Sequence, residues 1–188
     1  MANILTLSRM ALIIPFVALF FITTPWGLKA ALAIFVVASI TDYLDGRIAR
    51  ARGEVTALGA ALDPLADKLL ITAALILLAR NGVIHGAGII AVIIIILREL
   101  LVSGLREAVT AKGGSLAVTG LAKMKTATQL IAVAVLIAAA PGGLVGQPAA
   151  LAGASLLWFA AILTFWTGAD YTARAAQILR GGGSQLNG

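Results

Sequence analysis

The chain has 188 residues, of which 61% are apolar and 12% are charged, with 20 glycines and no cysteine. Soluble globular chains have about 25% charged residues, so this composition excludes an ordinary water-soluble domain, a disordered chain and a disulfide-stapled fold. The formal net charge of +6 is typical of basic residues that flank membrane spans and requires no nucleic-acid partner.

Six apolar segments are long enough to cross a bilayer, which takes about 20 residues. We predict the first over about residues 4–26, with Pro15 inside it. The other five are predicted over about residues 29–50, 58–80, 86–112, 120–140 and 149–171. The runs are continuous rather than alternating, which favours helices over strands. We therefore predict an all-α integral membrane fold with six transmembrane helices.

Turn-forming sequences separate several of these segments. They are Thr23 to Gly27, Asn81-Gly82, Gly113-Gly114 and Pro141-Gly142-Gly143. The N-terminal segment has no basic region before it, so we interpret it as part of the mature chain rather than a signal peptide. Residues 1–180 are predicted to form a single domain, and residues 181–188 a flexible tail that begins Gly-Gly-Gly-Ser.

Charge predicts the orientation of these spans. Six spans place both termini on one side, and on that side fall all lysines and arginines except Lys29 and Arg80. Basic residues are concentrated on the cytoplasmic side of membrane proteins. All 8 carboxylates fall on the same side, although the positive-inside rule does not require this. We therefore predict that both termini and a polar site face the cytoplasm.

Four aspartates lie at helical spacing in the second and third segments, together with small residues. The two groups are Asp42, Asp45, Gly46 and Ala49, then Gly59, Asp63 and Asp67. Each group falls on one face of its helix, so two antiparallel helices can direct four carboxylates at one point. An ionised Asp at the bilayer centre costs about 2.5 to 3.5 kcal/mol. The four therefore need compensating positive charge.

Divalent cations are the compensation that this donor set favours. Carboxylate oxygens select Mg²⁺ or Mn²⁺, and paired metals are used for displacement at phosphorus. Two alternatives are an ion pair or a local water cavity around each acid. An EF-hand loop is disfavoured because its acids alternate, whereas Asp42 and Asp45 are three residues apart.

The full pattern is Asp42-x2-Asp45-Gly46-x2-Ala49-Arg50-x8-Gly59-x3-Asp63-x3-Asp67. It resembles the complete signature of the CDP-alcohol phosphotransferase family. That resemblance implies six transmembrane helices, a cytoplasm-facing site, two divalent cations, a CDP-linked donor drawn from membrane lipid, and a homodimer. The resemblance also assigns roles. Asp42, Asp45, Asp63 and Asp67 would bind the metals, and Asp67 would also act as the base. The CDP moiety would contact Asp42, Gly46, Ala49, Arg50 and Gly59.

The acceptor is expected to bind at the polar ends of the fourth and fifth segments. A phosphorylated acceptor needs several cations, with arginine binding phosphate oxygens as a fork. The candidates are Arg98, Arg106, Lys123, Lys125 and Arg9. Glu99 and Glu107 are expected to orient the arginines. Ordinary flanking of membrane spans is the alternative interpretation of each cation.

These residues also resemble a narrower group. Arg98-Glu99, Ser103-Gly104-Leu105-Arg106-Glu107, Lys123-x-Lys125-Thr126 and Asn3-x-x-Thr6-x-x-Arg9 are similar to bacterial phosphatidylglycerophosphate synthases. This implies CDP-diacylglycerol as donor, sn-glycerol 3-phosphate as acceptor, phosphatidylglycerophosphate and CMP as products, and a location in the bacterial inner membrane. Serine or an inositol phosphate is the alternative acceptor within the family. An intramembrane aromatic prenyltransferase and a divalent-cation transporter are the rival classes.

Overall fold

The structure is a computed structural model that describes residues 2–22, 24–52, 57–116, 120–145 and 148–181. Side chains in these ranges are described except at residues 2–7, 9, 25, 42–52, 57–67, 122, 123 and 181. Within the described ranges the chain forms six helices and no strand, which confirms the predicted all-α class. The helices are α1 (Ala2–Leu19), α2 (Pro25–Arg52), α3 (Ala57–Arg80), α4 (Gly88–Ala111), α5 (Gly120–Ala139) and α6 (Pro148–Gly181).

The boundary between the first two helices differs from the prediction. The first apolar segment was predicted to reach Trp26, but α1 ends at Leu19 and Trp26 lies in α2. After α1 the chain forms a tighter turn, in which the N–H of Phe20 donates to the carbonyl of Val17, three residues earlier, at 3.1 Å. Pro25 then begins α2, a position where its fixed φ and missing N–H suit a helix. The sequence has a turn-forming stretch here, Thr23 to Gly27, but Pro25 to Gly27 lie in the first turn of α2.

Helix α6 is longer than its apolar segment. The predicted end was about residue 171, but the helix continues to Gly181. The added residues are mostly Ala, Arg, Gln, Ile and Leu, most of which favour helix even where they are too polar to sit in lipid. The apolar stretch therefore ends before the helix does. Residues 182–188 of the predicted tail lie outside the described residues.

The three predicted turns after α3, α4 and α5 are present, and each depends on a glycine. Gly82, Gly113 and Gly142 have φ values of 71°, 75° and 85°. This left-handed region is costly for residues with a Cβ atom. Glycine therefore allows the chain to reverse between α3 and α4, between α4 and α5, and between α5 and α6.

All six helices contribute to one apolar core. Its fully buried side chains include Phe16, Phe35, Leu75, Ile95, Leu136 and Leu157, one from each helix in chain order. Helix α6 packs against α4 and α5, α1 packs against α2 and α3, and α5 also contacts α2 and α3. Helix α5 thus joins the two groups of helices.

The outer surface of this bundle is apolar. Two helical stretches in the described part of the chain, Gly88–Ala111 and Pro148–Arg180, are long and apolar enough to cross a membrane. Shorter apolar stretches occupy Met10–Leu19, Trp26–Thr41 and Met124–Ala139. Leu97, Leu100 and Phe165 are more than 60% exposed. Large exposed apolar surfaces of this kind mark contact with lipid or protein.

Candidate active site

The aspartate pattern lies where α2 ends and α3 begins. Asp42 and Asp45 fall in the last turns of α2, and Asp63 and Asp67 in the first turns of α3. The two helices contact each other. The side chains of all the pattern residues lie outside the described residues, so their predicted convergence stays a prediction. The described side chains contain no group of three or more His, Asp or Glu that could hold a metal.

Lys68 connects this region to α4. It directly follows Asp67 in the chain, and its Nζ donates a hydrogen bond to Ser103 Oγ. The Ser103 hydroxyl in turn donates to the backbone carbonyl of Glu99 at 2.6 Å. The polar stretch of α4 therefore lies beside the end of the aspartate pattern. Lys68 was predicted only as one of the cytoplasmic-side cations, although its position next to Asp67 was a usable signal.

Glu99 joins two of the predicted acceptor residues. Its Oε1 accepts a hydrogen bond from Lys125 Nζ of α5, and also from Arg98 Nη1 at 3.3 Å. This contact agrees with the predicted orienting role of Glu99. Arg98 and Lys125 are only 8% and 4% exposed. Two buried cations share one carboxylate, so the group keeps a net positive charge that favours an anionic ligand.

Helix α6 also contacts the predicted arginines, through Tyr171, which the sequence suggested as a residue that closes the site, and through Thr167, for which it had no signal. Thr167 Oγ1 accepts a hydrogen bond from Arg98 Nη2 at 3.1 Å. The buried Tyr171 ring centre lies 5.8 Å from the guanidinium carbon of Arg98 and 5.8 Å from that of Arg106. Both distances are within the range of cation–π attraction. Tyr171 therefore brings Arg106, whose own side chain is exposed, next to the buried group.

A second buried polar contact lies one turn deeper in the same helices. Gln129 Nε2 of α5 donates to Thr164 Oγ1 of α6 at 2.9 Å, and both side chains are buried. Gln129 is four residues after Lys125, and Thr164 is three before Thr167, so each pair shares a helix face. Lys125 and Gln129 of α5 and Thr164 and Thr167 of α6 thus form a polar seam, which extends from the cations into the apolar core.

The structure brings together only part of the predicted acceptor set. Arg98, Lys125 and Arg106 lie around Glu99 and Tyr171. Arg9 is in α1 and Lys123 in α5, but their side chains lie outside the described residues. A pocket of about 420 Å³ lies at the other end of the bundle, where its lining includes Arg80 and Pro141. That pocket contains none of the predicted site residues.

Comparison with known proteins adds independent information. The profile of a family described as CDP-alcohol phosphatidyltransferase matches residues 1–166. A Rickettsia bellii protein named CDP-diacylglycerol–glycerol-3-phosphate 3-phosphatidyltransferase is 40% identical over 169 residues, covering 90% of this chain and 91% of that protein. A Cereibacter sphaeroides protein of the same name is 35% identical over 213 residues, covering 95% and 96%.

The similarity extends to a differently named protein. A rice protein named cardiolipin synthase (CMP-forming) is 35% identical over 189 residues, covering 94% of this chain and 57% of that protein. The bacterial relatives match over nearly their whole length, whereas the rice protein is substantially longer than the matched region.

Proposed function

Because the chain belongs to the CDP-alcohol phosphatidyltransferase family, we propose that it transfers a phosphatidyl group from CDP-diacylglycerol to sn-glycerol 3-phosphate. The products are phosphatidylglycerophosphate and CMP, and the chain is an enzyme of phospholipid synthesis. The names of the two bacterial relatives support this choice of substrates. Serine and inositol phosphate remain the alternative acceptors, and the prenyltransferase and transporter classes are set aside by family membership.

One observation carries the choice of a phosphorylated acceptor. Lys68, the residue after Asp67, contacts Ser103 of α4, and Ser103 bonds to the backbone of Glu99. Glu99 holds Arg98 and Lys125. A buried, net positive group therefore adjoins the end of the aspartate pattern. An acceptor phosphate bound there would hold its hydroxyl near Asp67.

The donor set of the aspartate pattern fits divalent cations. The four side chains are all carboxylates, set in two pairs at α-helical spacing on contacting helices, and hard oxygen ligands suit Mg²⁺ or Mn²⁺. Members of the family generally depend on divalent cations. We assign Asp42, Asp45, Asp63 and Asp67 to two such ions. When bound, the ions supply positive charge that neutralises the diphosphate and stabilises the leaving CMP.

The chain's own residues bind and orient the two substrates. We place Gly46, Ala49, Arg50 and Gly59 along the CDP moiety, together with Asp42. Asp67 takes the proton from the acceptor hydroxyl. The hydroxyl oxygen forms a bond to the phosphorus on the lipid side of the diphosphate, and the bond from that phosphorus to the CMP oxygen breaks. The departing CMP keeps the electron pair of the broken bond.

The acceptor phosphate is assigned to the cation group. Arg98 and Arg106 are its arginine ligands in this proposal, and Lys123, Lys125 and Arg9 supply further positive charge. Arginine suits this task because its planar guanidinium can donate two parallel hydrogen bonds to phosphate oxygens.

The chain is a membrane protein, and we propose that it crosses the bacterial inner membrane six times as one domain over residues 1–180. Both termini and the active site would face the cytoplasm. Lys29 near the start of α2 and Arg80 at the end of α3 lie at the helix ends opposite the aspartates, as this orientation requires. The lipid donor would enter from the bilayer and the polar acceptor from water. We also propose a homodimer.

The test is an acceptor panel with the purified protein. With CDP-diacylglycerol and Mg²⁺ or Mn²⁺, we expect CMP release to require glycerol 3-phosphate, and serine or an inositol phosphate to give little. Cardiolipin formation, the activity in the rice relative's name, is measured alongside. CMP release that depends on another acceptor, or none with any, would overturn the proposal.

An isosteric pair of variants tests the assigned base. Asp67→Asn should lower kcat by about 10² to 10⁴, as expected for loss of a general base. Asp170→Asn is the matched control, because Asp170 is 42% exposed and pairs only with its helix neighbour Arg174 at 3.0 Å among the described contacts. The control should keep wild-type activity. Equal activity of the two variants would contradict the assignment.

A further inference from the structure

We propose that three residues of α6, Thr167, Gly168 and Tyr171, form a seat that positions Arg98 to bind the acceptor's phosphate monoester. This inference rests on the proposed function and adds positioning residues that lie outside the aspartate pattern and the predicted acceptor set. It is carried by the close approach of α6 to the Arg98 side chain.

Gly168 gives Arg98 room to pass. A Cβ atom built at Gly168 would lie 2.6 Å from Arg98 Cγ and 3.3 Å from its Nε. Real Cβ atoms essentially never come within 3.0 Å of another heavy atom. Cγ is near the base of the side chain, so the whole arginine would have to move. Any larger residue at position 168 therefore displaces Arg98.

Thr167 fixes the direction of the guanidinium. Its hydroxyl is buried and donates to the Leu163 carbonyl at 2.8 Å. With the hydroxyl hydrogen directed there, an oxygen lone pair is left to accept from Arg98 Nη2 at 3.1 Å. Tyr171, one turn further along α6, places its ring near the guanidinium. Hydroxyl and ring thus hold Arg98 from the same helix.

In this position Arg98 still has N–H donors that can bind a phosphate. A guanidinium has five N–H donors. Nη1 gives one to Glu99 and Nη2 gives one to Thr167, while Nε is buried against Gly168 and has no hydrogen-bond partner among the described residues. Among the described contacts, each terminal nitrogen keeps one further N–H that is not used. Two N–H groups from neighbouring nitrogens match two oxygens of a phosphate monoester.

The central experiment compares two glycine substitutions in α6. Gly168→Ala should raise KM for glycerol 3-phosphate by about tenfold, the effect of weakening one charge-assisted hydrogen bond. Its kcat and its KM for CDP-diacylglycerol should stay near wild type. Gly153→Ala is the matched control, because its Cβ would lie 2.9 Å from Leu136 in the apolar core. It should leave KM for glycerol 3-phosphate unchanged, whatever it does to stability.

A double-mutant cycle separates positioning from general disturbance of α6. In an Arg98→Met background, Gly168→Ala should have no further effect on KM for the acceptor, because the residue it acts through is gone. An equal rise of KM in both backgrounds would overturn the proposal. A rise of KM with Gly153→Ala that matches Gly168→Ala would do the same.

If Gly168→Ala does not fold, substitutions of Thr167 test whether α6 positions Arg98. Thr167→Val keeps the shape and removes the acceptor oxygen, so KM for glycerol 3-phosphate should rise. Thr167→Ser restores the oxygen and should restore KM. Identical KM values for the two would overturn the proposal. If the wild-type protein releases no CMP with glycerol 3-phosphate, the proposed function fails; if it does and these variants behave otherwise, only the seat fails.

Discussion

Five polar side chains are buried among the described residues: Arg98, Lys125, Gln129, Thr164 and Thr167. Polar and charged groups inside a membrane protein are costly, so they are retained mainly where they have a function. Here they occur on α4, α5 and α6 and contact one another or Glu99. The seam they form leads from the apolar core toward the end of α3 that carries Asp67.

Lys125 should be important for stability as well as binding. Lys125 is one of two cations that donate to the buried Glu99 carboxylate, and losing one charge-assisted hydrogen bond costs about 1.5 to 3 kcal/mol. Lys125→Met should therefore lower the free energy of unfolding by about 2 kcal/mol, because Glu99 keeps Arg98 at 3.3 Å and the nearby Lys68 as compensating charges. Lys112→Met is the control, since Lys112 is exposed and donates to the Leu179 carbonyl at 3.0 Å.

Denaturant unfolding in detergent micelles measures both changes. The control should lose less than about 1 kcal/mol, as for an exposed contact. Equal losses for the two lysine variants would show that the Glu99 contact is not a buried ion pair.

At the scale of helices, the sequence predicted the features that depend on residues close together in the chain. Continuous apolar runs and turn glycines predicted six helices, and helical spacing placed Asp42 with Asp45 and Asp63 with Asp67. The turn between α1 and α2 was placed a few residues late, because Pro25 and Gly27 are turn-forming residues that here lie in the first turn of α2. The seat on α6 was missed because Gly168 and Arg98 are 70 positions apart, so only tertiary packing brings them together.

The six-span arrangement predicts opposite locations for two loops. His85 lies between α3 and α4, and Ser115 lies between α4 and α5; both are exposed. The chain has no cysteine, so His85→Cys and Ser115→Cys each carry a single thiol. In right-side-out membrane vesicles, an impermeant maleimide should label His85→Cys. Ser115→Cys should react only after the vesicles are opened. Labelling of both from the same side would contradict a membrane crossing by α4.

On the scale of the whole molecule, α5 connects two groups of helices. It packs against α6, which also holds α4, and against α2 and α3, which also hold α1. Because the core draws one large side chain from each helix, the groups share a single apolar interior. The residues that we propose bind the substrates are divided between the groups: the aspartates are on α2 and α3, and the buried cations are on α4 and α5. In the proposed reaction, the distance between the two substrates is set by the packing of α5 on α2 and α3 and by the contact of α3 with α4.

Divalent cations that bind between α2 and α3 should stabilise the whole fold. In the proposed site the four carboxylates repel one another when the ions are absent. A ligand that binds only the folded state adds about 2.7 kcal/mol at a hundred times its Kd. EDTA should therefore lower the thermal midpoint of the purified protein, and Mg²⁺ or Mn²⁺ should restore it. Asp63→Asn should largely remove this response, while Asp170→Asn should keep it. The comparison is made at constant ionic strength, because salt also screens surface charges. A wild-type midpoint that is the same in EDTA and in Mg²⁺ would contradict the assignment of the aspartates, since their mutual repulsion would then have no ion to relieve it.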